Sequence, residues 1–219
     1  KMLSLGRSKY RKLETFFSRG GYIADYWAGF LAADGCIVTE PRREVRLKLH
    51  IKDKDWVSTF IYDTEYEGRM SVGKMAGVTV CSAYNWISDL DQVYNVTPRK
   101  TFTLEPPNIE GTRALSYICG YIDGDGCWSV STGRPILIIV GTRAILEWIQ
   151  KRFVDIDSQA KTATVQKSRG CYRISFQGQD VINIFHVLNS LTTRHMPRKW
   201  QPVEALVGKG VVLDESVLG

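Results

Sequence analysis

Two stretches of this chain share one pattern, Trp27–Gly35 (WAGFLAADG) and Ile118–Gly126 (ICGYIDGDG). Each contains a small residue and a glycine, an aromatic residue after the glycine, and a closing Asp-Gly. The closing aspartates, Asp34 and Asp125, are separated by a little under half of the 219-residue chain. A pattern that returns at such a distance indicates an internal repeat and therefore two similar halves.

The composition is that of a basic globular protein. Hydrophobic residues make up 44% of the chain, which excludes a disordered protein, and no apolar run is long enough to cross a bilayer. The net charge of +6 favours an anionic partner. The five cysteines are odd in number and form no C-x-x-C pair, so they predict free thiols in a reducing, intracellular compartment rather than a zinc site.

The segments that follow the two copies also match. After each Asp-Gly the pattern predicts two strands, a helix, a hairpin and another helix. We therefore predict an α+β fold of two αββαββα halves, each with a four-stranded antiparallel sheet. The predicted boundaries are a basic N-terminal extension over 1–20, a first half over 21–104, a proline-containing linker over 105–111, a second half over 112–207 and a tail over 208–219.

Small residues share one face of each motif helix, which we predict over 24–33 and 115–124. They lie four positions apart, Gly29 with Ala33 and Gly120 with Gly124. Glycine within a helix costs about 1 kcal/mol relative to alanine, so its presence at matching positions indicates that two helices approach closely. Helices packed on these faces would bring their terminal aspartates together.

Two adjacent aspartates predict a metal site. Bare carboxylates about 4 Å apart repel by roughly 4 kcal/mol at an effective dielectric constant of 20, and a divalent cation removes that repulsion. Few hard oxygen donors suit Mg2+, and two such ions can activate water and stabilise the leaving oxygen of a phosphodiester. The alternative is a simple turn, in which each aspartate only caps its helix. The occurrence in both copies favours the metal site.

The two motifs, the order of elements and the repeated Pro-Arg-Lys at 98–100 and 197–199 resemble the LAGLIDADG homing endonucleases of the single-chain, two-motif type. The resemblance implies that the motif helices form the interface between the halves and that each saddle-shaped sheet lies in the major groove of double-stranded DNA. It implies a monomer, without an obligate protein partner, that breaks both strands of a long asymmetric target.

The resemblance also implies a metal-ligand set. Asp34 and Asp125 would bind two or more Mg2+ ions, with the backbone carbonyls of Ala33 and Gly124 as further ligands. Mn2+ would substitute for Mg2+, and Ca2+ would support binding without cleavage. Lys74 and Lys167 fall at corresponding places in the two predicted hairpins, where they would stabilise charge in catalysis or contact phosphates. Surface lysines without such a role are the equal alternative.

Strand alternation predicts the faces that contact DNA. In 45–52, apolar residues that face the core alternate with long hydrogen-bond donors that face outward and can reach base edges. The corresponding strand of the second half, 135–140, is almost entirely apolar, so the halves should read different sequences. The predicted DNA contacts are Val38, Glu40, Arg42, Arg46, Lys48, His50, Lys52, Ser129, Ser131, Arg173, Ser175 and Gln177, with Arg99, Lys100, Arg198 and Lys199 either on phosphates or capping the final helices.

Two other functions remain compatible with the sequence. An intron maturase would hold RNA on the same basic sheets, and a DNA-binding regulator would keep the scaffold without cutting. The presence of both Asp34 and Asp125 argues against the regulator, because loss of cleavage would most easily appear as their replacement.

Overall fold

The computed structural model describes residues 15–81, 83–156, 158–168, 170–191 and 194–208. The α-helices in these residues are Tyr22–Asp34 (α1), Lys54–Asp63 (α2), Tyr84–Tyr94 (α3), Gly111–Asp125 (α4), Arg143–Ile156 (α5), Gln179–Leu191 (α6) and Pro197–Val207 (α7). The strands are Gly35–Val38 (β1), Glu44–His50 (β2), Ser71–Val72 (β3), Met75–Cys81 (β4), Gly126–Ser131 (β5), Arg134–Gly141 (β6), Gln166–Ser168 (β7) and Cys171–Gln177 (β8). None of these helices combines the length and apolar character that a bilayer crossing needs.

The chain forms two αββαββα halves, which confirms the predicted fold class. The first sheet has the strand order β1-β2-β4-β3 and the second has the order β5-β6-β8-β7. All neighbouring strands are antiparallel. In both sheets the strand that follows the motif helix lies at one edge and the short strand of the hairpin lies at the other. Helix α7 follows the αββαββα unit at the end of the second half.

The first strand is shorter than the residue alternation predicts. Strand β1 ends at Val38, so Glu40 and Arg42 lie in the exposed connection to β2 instead of continuing an outward strand face. Pro41, between them, has no N–H to donate to a ladder. The prediction that Glu40 and Arg42 share the strand face of Val38 is therefore wrong.

Lys52 is also outside the strand to which it was assigned. Strand β2 ends at His50, and the chain turns into a short 3-10 helix, Ile51–Asp53. The backbone N–H of Lys52 donates to Nδ1 of His50 over 3.2 Å, which satisfies a donor that the ladder no longer pairs. Lys52 is exposed beside the sheet and does not extend its outward row.

Part of the predicted N-terminal extension belongs to the core. Phe16 and Phe17 are buried. The ring of Phe17 lies 5.1 Å from that of Trp86 and 6.2 Å from that of Tyr94, both in α3. The basic residues of 1–14 lie outside the described residues.

Helices α1 and α4 pack backbone to backbone at the centre of the molecule. A methyl group added at Gly29 would collide with the backbone carbonyl oxygen of Tyr117. A methyl group added at Gly120 would collide in the same way with the carbonyl oxygen of Tyr26. The two glycines therefore face each other's helices across the interface, as the small-residue pattern predicts.

Ion pairs reinforce this interface at its margins. In the described residues, three arginines of the second half each donate two hydrogen bonds to one aspartate of the first half, at 2.7–2.9 Å. Two of these aspartates are almost fully buried, which makes the paired arginine necessary for their burial. The pairs are Arg113 with Asp25, Arg194 with Asp63 and Arg198 with Asp53.

Because the two helices approach so closely, a single added methyl group should strongly lower the stability of the protein. Gly29→Ala or Gly120→Ala should lower the free energy of unfolding by about 2 kcal/mol or more, because the obstructing atoms are backbone and can move only with the whole helix. Denaturant unfolding of each variant measures the effect. Gly73→Ala is the matched control, since no atom lies within 4 Å of its added methyl group. Equal effects at all three positions would contradict the packing argument.

Candidate functional site

The two motif aspartates lie at the same end of the helix pair. Asp34 is the last residue of α1 and Asp125 is the last residue of α4, and each leads directly into the first strand of its sheet. A methyl group added at Gly124 would meet the side chain of Ala33 and would lie 3.4 Å from the backbone nitrogen of Asp34. The ends of the helices are therefore in contact, at the point where the first strand of each sheet begins.

The electrostatics of this pair favour a cation. Burial, together with the negative charge of Asp34, raises the pKa of Asp125 to about 6. Burial also raises the pKa of Asp34. Among the described residues neither carboxylate accepts a hydrogen bond or forms an ion pair. The charge of Asp34 thus disfavours ionisation of Asp125. Two carboxylates without a hydrogen-bond partner, next to the backbone carbonyls of Ala33 and Gly124, offer oxygen donors of the kind that suits Mg2+.

Two lysines, the buried Lys100 and the half-buried Lys199, lie beside these carboxylates. The Nζ atom of Lys100 donates to the carbonyl oxygen of Gly35 at 2.6 Å and lies 3.4 Å from that of Ala33. The Nζ atom of Lys199 donates to the carbonyl oxygens of Gly124 at 2.7 Å and Gly126 at 3.1 Å. Each lysine thus binds the backbone on both sides of its own motif aspartate.

The lysines interact with the carboxylates across the interface as well. Burial lowers the pKa of Lys100, and the charge that most opposes this shift is that of Asp125 in the other half. Burial also lowers the pKa of Lys199, and Lys199 is the strongest attractive charge acting on Asp34. The prediction that Lys100 and Lys199 reach out to phosphates or cap final helices is therefore replaced, because both side chains point inward to the carboxylates.

The preceding arginines differ from each other. Arg198 forms the bidentate pair with Asp53, whose charge contributes to the raised pKa of Asp34. Arg99 is exposed at a left-handed turn, with φ of 59°. Arg198 is thus paired with a carboxylate beside the site, while Arg99 remains accessible for the predicted phosphate contact.

Asp123, two residues before Asp125, fixes the segment that carries Lys199. Its carboxylate is fully buried and accepts hydrogen bonds from the hydroxyl of Tyr26 at 2.7 Å and from Nε1 of Trp200 at 2.7 Å. It also accepts one from the backbone N–H of Met196 at 2.6 Å. The start of α7 is therefore tied to both motif helices. The matching position in the first half is an alanine, so this support exists on one side only.

The hairpin lysines do not occupy matching positions. The strand pairings make Val78 of the first half equivalent to Ile174 of the second half. Counted back along each hairpin from these two residues, Lys167 pairs with Tyr172 and is equivalent to Val72 of the first half. Lys74 lies in the turn after β3 instead. Tyr172 belongs to the row of β8 that faces the helices, so Lys167 is directed to that side of the sheet as well. The predicted correspondence of Lys74 and Lys167 is wrong.

The open faces of the sheets carry most of the other predicted contacts. The core side of β2 is buried through Val45, Leu47 and Leu49, which leaves the alternate residues on the accessible side. Residues of the sequence prediction that lie on the open faces are Val38, Arg46, Lys48, His50, Ser129, Ser131, Arg173, Ser175 and Gln177.

Comparison with known proteins identifies the architecture. No protein-family model and no curated protein sequence matches the chain. Among solved structures, the meganuclease I-AabMI bound to uncleaved DNA is 12% identical, with 87% of this chain and 93% of that chain covered and a TM-score of 0.57. I-SmaMI bound to uncleavable DNA is 10% identical, with 88% and 92% covered and a TM-score of 0.59. I-GzeII in complex with its DNA target is 12% identical, with 88% and 93% covered and a TM-score of 0.57.

The chain has the LAGLIDADG fold. Within that fold, the sequence predicted the placement of the motif helices and missed the role of the two lysines. The signal was present, because Pro-Arg-Lys recurs in both halves. The sequence around these segments, however, does not show that the chain folds back to bring them against the motif helices.

The raised pKa of Asp125 predicts that the stability of this protein depends on pH. Because folding raises this pKa from its ordinary value near 4 to about 6, the folded protein binds the proton more tightly than the unfolded chain does. Without divalent cations, the contribution of Asp125 is therefore favourable below about pH 4 and is lost as the pH rises through 6.

Asp125→Asn removes this loss. The variant should be more stable than the parent at about pH 8, by on the order of 1 kcal/mol for this half-buried group, and equally stable near pH 3.5. Thermal unfolding in a chelator measures both values. Asp155→Asn, at an exposed position on α5, should show no such pH-dependent gain. A gain for Asp125→Asn that is the same at both pH values would contradict the assignment.

Proposed function

We propose that this protein is a divalent-cation-dependent endonuclease that makes a double-strand break in a long, asymmetric DNA target. The observation that carries the proposal is the pair of carboxylates without hydrogen-bond partners at the contact of the two motif helices, each with a lysine bound to the backbone beside it. Because the site lies where the first strand of each sheet begins, a duplex that follows both sheets would pass over it. The structural neighbours of this chain include meganucleases solved with DNA, and one, I-SmaMI, was solved with uncleaved DNA in the presence of calcium ions.

Asp34 and Asp125 would hold the cations, together with the backbone carbonyls of Ala33 and Gly124. A bound Mg2+ ion supplies Lewis acidity toward a phosphodiester and lowers the pKa of water to that of a usable nucleophile. Mn2+ would replace Mg2+ in this donor set, and the larger, more flexibly coordinated Ca2+ would support DNA binding without cleavage. Both carboxylates must be ionised for this purpose.

The lysines would stabilise the negative charge that develops on the phosphate. Hydrogen bonds to backbone carbonyls hold the ammonium groups of Lys100 and Lys199 in position, and a charge that is already oriented costs no reorganisation during the reaction. Their lowered pKa values also bring both ammonium groups closer to the range in which they can exchange a proton near neutral pH. Each lysine interacts with the carboxylate of the other half, so each strand cut would use groups from both halves.

The substrate proposal follows from the asymmetry of the halves. One chain supplies both halves, so a monomer is sufficient for two cuts. Because the open faces differ in residue type at matching positions, the two halves of the target need not be related by a palindrome. The basic chain would gain much of its affinity from phosphate contacts, which makes binding dependent on salt.

Selection from a library of randomised duplexes in Mg2+ tests the proposal. Sequencing of the cut ends should return one long, asymmetric site, cut in both strands. Enrichment of one duplex in Ca2+ without any cutting in Mg2+ or Mn2+ would instead indicate a DNA-binding regulator. Failure to enrich any duplex, with retention of structured RNA, would indicate an RNA-binding maturase.

Substitution of the motif aspartates should separate the effect on catalysis from the effect on DNA binding. Asp34→Asn and Asp125→Asn should each reduce single-turnover cleavage by at least 100-fold and leave the affinity for the target in Ca2+ within a few fold. They should also reduce the thermal stabilisation that the parent shows with Ca2+. Loss of DNA affinity in both variants would mean that these aspartates only support the fold.

Lys100→Met and Lys199→Met should slow the two strand cuts unequally, since each lysine interacts differently with the two carboxylates. We expect a loss of 100-fold or more at the affected strand and accumulation of a nicked intermediate. A gel assay with each strand labelled separately distinguishes nicking from double-strand cleavage. Lys151→Met, at an exposed position on α5, is the matched control and should cut normally. Normal cleavage by both active-site variants would exclude the lysines from catalysis.

A further inference from the structure

The strand registers establish which residues of the two sheets correspond. Gly35 pairs with Leu47, and Gly126 pairs with Ile139. Since both glycines directly follow a motif aspartate, Leu47 and Ile139 occupy equivalent positions. On the open face the equivalences are therefore Glu44 with Ile136, Arg46 with Ile138 and Lys48 with Val140.

The central strand of the second sheet is thus apolar where that of the first is charged. Leu137 and Ile139 are fully buried and face the helices, whereas Ile136, Ile138 and Val140 are half-buried on the open side. This apolar row is not needed to complete the core, because the core side of the same strand is already filled. It is a surface feature of the sheet.

Polar groups flank the apolar row on both sides. Ile136 lies between Ser129 and Gln177 across the sheet, and Val140 lies beside Arg173. The four strands of this sheet contain no aspartate or glutamate, while Arg134 and Arg173 on its open side are basic. The surface is therefore complementary in charge to a nucleic acid and apolar along its centre.

The major groove of B-DNA has a single kind of apolar group, the 5-methyl group of thymine. We propose that the apolar row Ile136, Ile138 and Val140 recognises thymine methyl groups, so that the half-site under the second half is rich in thymine. Gln177 and Arg173 at the ends of the row would fix its register on adenine and guanine edges. This inference rests on the proposed function and specifies the DNA sequence class that the site takes.

The equivalent row of the first half would read a different class of bases. Arg46 donates two hydrogen bonds to the carboxylate of Glu44, which orients its guanidinium on the open face. Arg46 and Lys48 can donate to the acceptor atoms of guanine, while the buried Glu44 holds the guanidinium of Arg46 in place. The half-site under the first half would therefore depend on hydrogen bonds and not on methyl groups.

Replacement of thymidine by deoxyuridine tests the inference, because it removes the methyl group and leaves the pairing edge unchanged. The target recovered by selection is synthesised with deoxyuridine in one half-site or the other, and affinity is measured in Ca2+. Substitution in the half-site of the second half should weaken binding about fourfold for each methyl group in contact. Substitution in the other half-site should change the affinity by less than twofold.

Matched variants assign the effect to the apolar row. Ile138→Ser should abolish the difference between thymidine and deoxyuridine, whereas Arg46→Ser, at the equivalent position, should leave that difference intact and relax the preference in the other half-site. Thermal unfolding confirms that both variants fold. A target that is bound equally well with deoxyuridine throughout would overturn the inference and leave the proposed function standing. Failure to bind any duplex would overturn both.

Discussion

The contact between the backbones of α1 and α4 is the constraint on which the rest of the structure depends. Glycines at positions 29 and 120 allow each helix to rest against a carbonyl oxygen of the other, and this distance places the ends of both helices side by side. The aspartates occupy those ends, and the sheets diverge from the same point. One small-residue seam therefore determines the distance between the carboxylates and the relation between the open faces of the two sheets.

Charge pairing across the seam secures the same arrangement. Each of the three inter-half arginines comes from the second half and each aspartate from the first, so the halves are complementary and not interchangeable. Asp123 adds a fully buried carboxylate that ties Tyr26 of the first half to Trp200 of the second. An approximate twofold repeat thus carries a one-sided set of supports, and Lys199 is held differently from Lys100.

The sequence predicted the features that are determined by residues near one another in the chain. The alternation of β2, the helix seam and the closing Asp-Gly all depend on residues close together in the chain, and their placement follows from backbone geometry. Lys100 and Lys199 were misassigned because they are far in sequence from the motifs that they contact, and only the folded path of the chain shows them turned inward. The match of Lys74 with Lys167 was wrong because the chain from the second strand of the sheet to the fourth is four residues longer in the second half, which a fixed offset along the sequence cannot detect.

The most direct test of the central claim is a crystal structure of the protein on its target duplex with Mn2+, in which anomalous scattering locates the ions. The account predicts Mn2+ bound by Asp34 and Asp125, in contact with a phosphate of each DNA strand, with both Lys100 and Lys199 beside them. Ions found elsewhere on the protein, or carboxylates that face away from the DNA, would contradict it.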